Sequence, residues 1–238
     1  MKRETSEKIL KKLAPHYVHP EEKTREILLQ MEKSDEISVG SFILDAGCGI
    51  ESILRFIEVP ALKIGLDIHH SPPPSCIDFF VRASACSIPF KDESFNLIYS
   101  FGLLEHLENP RTAIEEFSRI LNKNGLLVLG TSNLLNYGIL IAKMTPLSFH
   151  HFIRKLALGK GFDNDPTYYR GNTPSKLKKI LEEHGINVLI METAGWAFDY
   201  LRFSKILYAL GILGDRITDF KHLRKLKSWI IVAGRKEA

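Results

Sequence analysis

Three cysteines in 238 residues, Cys48, Cys76 and Cys86, are too few and too irregularly spaced for a disulfide framework or a zinc site. That scarcity excludes the small disulfide-stapled scaffolds and fits a reducing compartment. Long apolar runs are also missing. Nothing approaches the ~20 residues of a membrane-spanning helix, and the nearest candidate, Ile206 to Gly214, falls well short. The charged start, Met1–Glu7, leads into no apolar core, so no secretory leader is expected and a cytoplasmic protein is. Repeats and low-complexity tracts are absent. Neither charge dominates: 32 Lys and Arg face 28 Asp and Glu, a net +4. With 45% hydrophobic and 25% charged residues, the chain suits one globular domain with insertions.

Residues 42–49, Phe-Ile-Leu-Asp-Ala-Gly-Cys-Gly, are the most informative stretch present. Phe42-Ile43-Leu44 suits a strand covered on both faces. Asp45 follows at its carboxyl end, and Gly47 and Gly49 let the backbone approach a ligand closely. A second apolar run, Lys63-Ile64-Gly65-Leu66-Asp67, ends on an acid 22 positions after Asp45. A βαβ unit sets an acid against a ribose at an offset of about 20 residues. That ribose belongs either to a dinucleotide or to S-adenosylmethionine.

The pattern predicts an α/β fold: a doubly wound, Rossmann-like, seven-stranded sheet with helical insertions and an antiparallel last strand. Residues 1–39 form N-terminal helices, of which 21–33 is amphipathic through Ile27, Leu28 and Met31. A core at 40–133 follows, with strands at 41–46, 62–68, 77–81, 94–100 and 126–131. A helix is expected from Ile50 to before Pro60, and another from Pro110 to the Asn124-Gly125 stop. Residues 134–172 show no simple period and read as an insertion. Residues 173–238 hold a helix capped by Thr173-Pro174, strands at 186–192 and 229–233, and a variable stretch at 195–227. Within that stretch Leu201, Ile206, Leu207, Leu210 and Leu213 make one amphipathic helix, with a partner helix or the core as its default cover and a membrane surface as an alternative.

Residues 82–108 contain Ala85, Ile88-Pro89-Phe90, Ser94-Phe95 and Glu105-His106-Leu107, and Arg119-Ile120-Leu121 precedes Gly125. With Asp45-Ala46-Gly47-Cys48-Gly49 and Asp67, this order resembles the class I S-adenosylmethionine-dependent methyltransferases, in particular the ubiquinone-type group. The resemblance covers roughly residues 40–133. It implies that Gly47 and Gly49 admit the methionine part of the cofactor, with Ala46 and Cys48 in the same turn and Asp45 near its amine. It further implies that Asp67 accepts both ribose hydroxyls and Ile68 lies on the adenine face. Ser84 and Ala85 then meet the adenine edge, and the Ser100 carbonyl the amine. Ser84 stands where the family usually has Asp, Glu51 where a third glycine is common, and Asn96 where an Asp is usual. A dinucleotide fits less well, since Ser52 occupies the third position of G-x-G-x-x-G.

Methyl transfer needs alignment above all, and a hydroxyl acceptor also benefits from a base. His106, just after the fourth strand, is the candidate. Related methyltransferases cover the acceptor with the insertion after strand five, which makes Tyr168, Tyr169 and Arg170 candidate pocket residues. The paired histidines His69-His70 and His150-His151 read as loop and helix residues, and no metal site is expected from them. The cofactor implied is S-adenosylmethionine, with S-adenosylhomocysteine as product. The acceptor implied is a small molecule, a glycan or a lipid-linked compound, methylated at oxygen. Nucleic-acid or protein methylation, and non-catalytic binding on the same fold, stand as alternatives. Against the former, no aromatic-basic stacking motif is present. Basic residues concentrate outside the core: five against two acids in 134–172, and seven against two in 201–227.

Overall fold

The apolar run at 42–46 forms the doubly covered strand that its composition requires. In the computed structural model, which describes residues 3–69, 72–144, 166–195 and 197–238, it is β1 (Phe42–Ala46). The other strands are β2 (Leu62–Asp67), β3 (Phe79–Arg82), β4 (Phe95–Phe101), β5 (Leu121–Ser132), β6 (Ile186–Ala194) and β7 (Trp229–Lys236). They form one sheet in the order β3-β2-β1-β4-β5-β7-β6. Pairing is parallel from β3 to β5, while β7 runs antiparallel to both β5 and β6. This is the seven-stranded, doubly wound sheet with an antiparallel last strand that the sequence predicts.

Alternate side chains along each strand serve opposite faces. Leu44, Ile98 and Leu127 pack with α3 (Pro110–Ile120) and α5 (Pro174–Glu183) through Ile114, Phe117, Leu177 and Leu181. Ile43, Leu97 and Val128 face the other way and meet Leu28 and Met31 of α2 (Pro20–Lys33). The remaining helices are α1 (Arg3–Leu13), α4 (Tyr137–Met144) and α6 (Lys205–Ile217). α1 lies off the sheet, where its Leu10 and Leu13 pack with Tyr208 and Ile212 of α6.

Three expectations are corrected. The helix predicted between Ile50 and Pro60 is only a 3₁₀ turn, Ile53–Phe56. The backbone groups that a helix would use are taken by side chains: Glu32 accepts from the amides of Glu58 and Val59 (2.8 and 2.6 Å), and Lys63 donates to the Ile57 carbonyl (2.8 Å). Second, α3 stops at Ile120, because Leu121 pairs with Phe95 and enters β5, while Asn124 (φ 62°) makes a turn inside that strand. Third, α6 begins at Lys205, capped by Ser204, and buries Tyr208, Gly211, Ile212 and Asp215. The predicted apolar face, Ile206, Leu207, Leu210 and Leu213, is exposed.

Two sequence motifs prove to be one device. Arg119 pairs with Glu116 (2.8 and 2.9 Å) and Asp92 (2.8 Å), and donates to the carbonyls of Ile88 (2.9 Å) and Phe90 (2.8 Å). Glu116 in turn accepts from the Ile88 amide at 2.7 Å. The guanidinium thus clamps the loop carrying Ile88-Pro89-Phe90 onto α3. Arg119→Ala is expected to cost about 1.5–3 kcal/mol in urea unfolding and to speed amide exchange across residues 84–90.

Candidate functional site

Strand order reverses at β1 and β4, and the site lies at the carboxyl ends of β1, β2 and β4. The turn after β1 folds back over β2: the Gly47 and Cys48 amides donate to the Leu66 carbonyl (2.7 and 3.2 Å). The Gly49 amide donates to Asp67 Oδ2 (3.0 Å), and the His69 amide to Asp67 Oδ1 (2.9 Å). Gly47 (φ 76°) and Gly49 (φ 51°) both lie in the left-handed region. A Cβ at Gly47 would press on Leu103 at 3.2 Å, whereas at Gly49 it would meet nothing within 4 Å. The backbone at Gly49 therefore borders open space, next to the half-buried Asp67 carboxylate and the exposed Ile68.

The other predicted residues divide between framework and surface. Ala46 is buried, and its carbonyl accepts from Ser100 Oγ (2.8 Å), which ties β1 to β4. Cys48 is buried against the backbone of β2, where burial pushes its thiol up to about 12. Ala85 is buried, and Ser84 is exposed with its hydroxyl accepting from the Cys86 amide (3.1 Å). Asp45 lies beneath the turn, fully enclosed, and accepts a short hydrogen bond from Ser52. Burial pushes its carboxyl up to about 7, with the Ser52 bond opposing and Asp67 and Glu21 adding to the rise.

Glu21, from the first turn of α2, is a site residue that the sequence reading missed. Its carboxyl is raised by burial, lowered by Arg55 and raised by Glu51. The sequence carried only an acidic first helical turn, which also serves the helix dipole. Glu51, at the third-glycine position, is exposed and pairs with Arg55 at 3.9 Å. Asp45, Asp67, Glu21 and Glu51 thus surround the turn with carboxyl groups, with Arg55 as a nearby cation.

Across the carboxyl edge, a 3₁₀ turn at Leu104–His106 follows β4. Glu105 is buried and accepts from Thr131 Oγ1 (2.7 Å) and Ser132 Oγ (2.8 Å). Asn172 Nδ2 donates to Thr131 Oγ1 (2.7 Å) and to the Ser132 carbonyl (3.0 Å). The Glu105 carbonyl accepts from the amides of Tyr168 (2.7 Å) and Tyr169 (3.3 Å), and His106 Nδ1 bonds the Pro166 carbonyl at 3.0 Å. His106 is therefore tied to the segment that carries Tyr168 and Arg170, with the Arg170 guanidinium 5.7 Å from the Tyr168 ring centre. Tyr169 is buried, with φ 52°. His70, His150 and His151 lie outside the described residues. Among the described residues, no group of three or more His, Cys, Asp or Glu side chains is placed to hold a metal ion. A cavity of about 1190 Å³ between residues 14–18, β6 and α6 includes none of the predicted site residues.

Residues 44–129 match the methyltransferase domain family. The sheet around them has the Rossmann-like fold seen in solved S-adenosylmethionine-dependent methyltransferases. An uncharacterised protein of Methanocaldococcus jannaschii, MJ1252, is 29% identical over 128 residues, 53% of this chain and 51% of its own length. The chain spans about half or less of the length of the curated relatives it matches. Among solved structures, an S-adenosylmethionine-dependent methyltransferase from Mesorhizobium loti superposes with a TM-score of 0.58 at 17% identity, covering 92% of this chain and 98% of that one. The [4+2]-cyclase SpnF superposes with a TM-score of 0.56 at 14% identity, covering 90% and 82%. These likenesses establish the fold, and the cyclase shows that the fold serves more than one chemistry.

Asp45 makes the domain's stability depend on pH. Its folded carboxyl titrates near 7 against an ordinary 3.8, so the fold prefers the protonated form. Its contribution is greatest in acid, declines as pH rises between those values, and is level above them. Urea unfolding across this range should show the stability of Asp45→Asn gaining on that of the parent as pH rises. Ser52→Ala removes the bond that favours the carboxylate, so it should carry the decline to higher pH.

Proposed function

We propose that the chain binds S-adenosylmethionine over the turn at 45–49 and methylates a small-molecule, glycan or lipid-linked acceptor at oxygen. The observation that carries this reading is the open glycine turn, clasped to Asp67 and surrounded by carboxylates. Negative charge on several sides suits a ligand carrying both a sulfonium and an ammonium. Bound there, the cofactor supplies an electrophilic methyl group on a cationic sulfur.

The chain's residues supply the rest. Each Asp67 oxygen holds one loop amide and keeps lone-pair capacity for a ribose hydroxyl. Ile68 offers an apolar face to adenine, and Ala85 backbone its edge. The Ser84 hydroxyl already accepts from Cys86, so its proton is left to donate. The Ser100 carbonyl and Asp45, at the ends of β4 and β1, favour the ammonium. The buried Ala46 and Cys48 hold the turn's shape. The Pro166 carbonyl can only accept, so neutral His106 carries its proton on Nδ1, which leaves Nε2 free to take one from a hydroxyl. Tyr168 and Arg170, on the segment that His106 meets through Pro166, supply the acceptor side, and the buried Tyr169 anchors it.

Calorimetric titration with S-adenosylmethionine and S-adenosylhomocysteine tests the seat. Asp67→Ala should weaken binding by about 100-fold, the worth of two hydrogen bonds to a charged group. No binding by the folded parent protein would contradict the proposal. For the chemistry, S-adenosylhomocysteine release is followed over a panel of sugar, prenylated and phenolic hydroxyl acceptors. His106→Ala should lower kcat by about 10²–10⁴ while cofactor affinity holds. If affinity falls in step with kcat, His106 only supports the loop.

A further inference from the structure

α6 turns the usual logic of a surface helix outward. Tyr208 and Ile212 face the α1 side, while Ile206, Leu207, Leu210, Leu213 and Ile217 stand in solvent, Ile206 at 73% and Leu210 at 57% exposure. α4 extends this surface. The Tyr137 hydroxyl lies 3.3 Å from where a Cβ on Gly214 would stand, and Leu140, one helical turn on, is exposed beside it. Exposed apolar residues scattered singly are ordinary, but a continuous helical face of them marks an interaction surface.

Charge identifies the occupant. The acids of segment 201–227, Asp215 and Asp219, both pair with Lys227, at 3.4 and 2.8 Å. Among the described residues no carboxylate pairs with Lys205 or Lys221. Arg216 and Arg224 donate to backbone carbonyls and line the cavity between α6 and β6, so they are not counted with the face. The apolar helix therefore has an exposed, unpaired lysine at its start, Lys205, and another just past its end, Lys221, the pattern of a helix lying in a lipid headgroup region. A second copy of this chain would bring the same cations against one another across a twofold axis.

We infer that the α4–α6 face docks the protein on an anionic membrane surface. The carbonyls of Lys225, Leu226 and Lys227 accept from Asn133 and Asn136 at 2.8, 2.9 and 2.7 Å, directly after β5. Docking therefore holds the sheet's carboxyl edge near the bilayer. This deepens the proposed function by selecting a lipid-linked acceptor. Only that consequence rests on the methyl-transfer reading; the docking does not.

The test is flotation of the full chain with phosphatidylcholine vesicles, with and without phosphatidylglycerol. The expected result is recovery with the anionic vesicles only, weakening as salt is raised. Lys205→Ala and Lys221→Ala should each lower partitioning about fivefold, and Leu210→Glu with Leu213→Glu by at least about tenfold. Both leucines are exposed, so unchanged melting and cofactor titration of that variant separate loss of docking from loss of fold or of the cofactor seat. No flotation of the folded parent overturns the inference, as does equal recovery with neutral vesicles. A dimer in light scattering that the leucine variant splits also overturns it, because the face would then join two copies.

Discussion

The hydrogen bond from the Gly49 amide to the Asp67 carboxylate joins the two halves of the site, and much of the local structure serves it. Parallel register sets Asp45 beside Gly65 and Ala46 beside Leu66, which brings the Leu66 carbonyl within reach of the next two amides. The chain then has to turn tightly over β2, and two left-handed glycines let it do so. Even Gly65 belongs to this arrangement, since a Cβ there would stand 2.9 Å from the Cys48 sulfur. The spacing of Asp45 and Asp67 is thus the length of chain needed to leave β1 and return along β2.

Electrostatics divides the carboxyl edge into two regions. Around the turn, four carboxyl groups face few cations, and burial lifts that of Asp45 to about 7. Such a cluster is costly to keep without a cationic ligand, which makes ligand binding and the ionisation of Asp45 a linked equilibrium. Across the edge, buried Glu105 is satisfied by hydrogen bonds: two hydroxyls donate to its oxygens, and Asn172 donates to one of them, that of Thr131. That network grips residues 166–172 from below and fixes the position of His106. The first region suits holding a cation, and the second suits positioning a base and an acceptor.

Much of this was legible in the sequence, because it depends on local signals. Strand runs, the glycine turn, the acid at the end of β2 and the Pro110 start of α3 each declare themselves within a few residues. What was missed depends on distant partners. Ile53, Leu54 and Ile57 have helical spacing, yet Glu32 and Lys63 satisfy the backbone there and α2 supplies the covering layer. Glu21 enters the site from α2 with no motif to announce it. The Arg119 clamp appeared as two separate motifs, although one guanidinium joins them. On α6 the spacing revealed amphipathicity but not which side is buried, because α1 selected Tyr208 and Ile212 and left the leucines outside.

The central claim is that the clasped turn is the cofactor seat. Amide hydrogen exchange of the full chain, with and without saturating S-adenosylhomocysteine, tests it most directly. Slower exchange is expected at residues 47–49, 67–69 and 84–85, with β6 and α6 unchanged. Protection confined to the cavity beside β6, or none at the turn despite demonstrated binding, would contradict it.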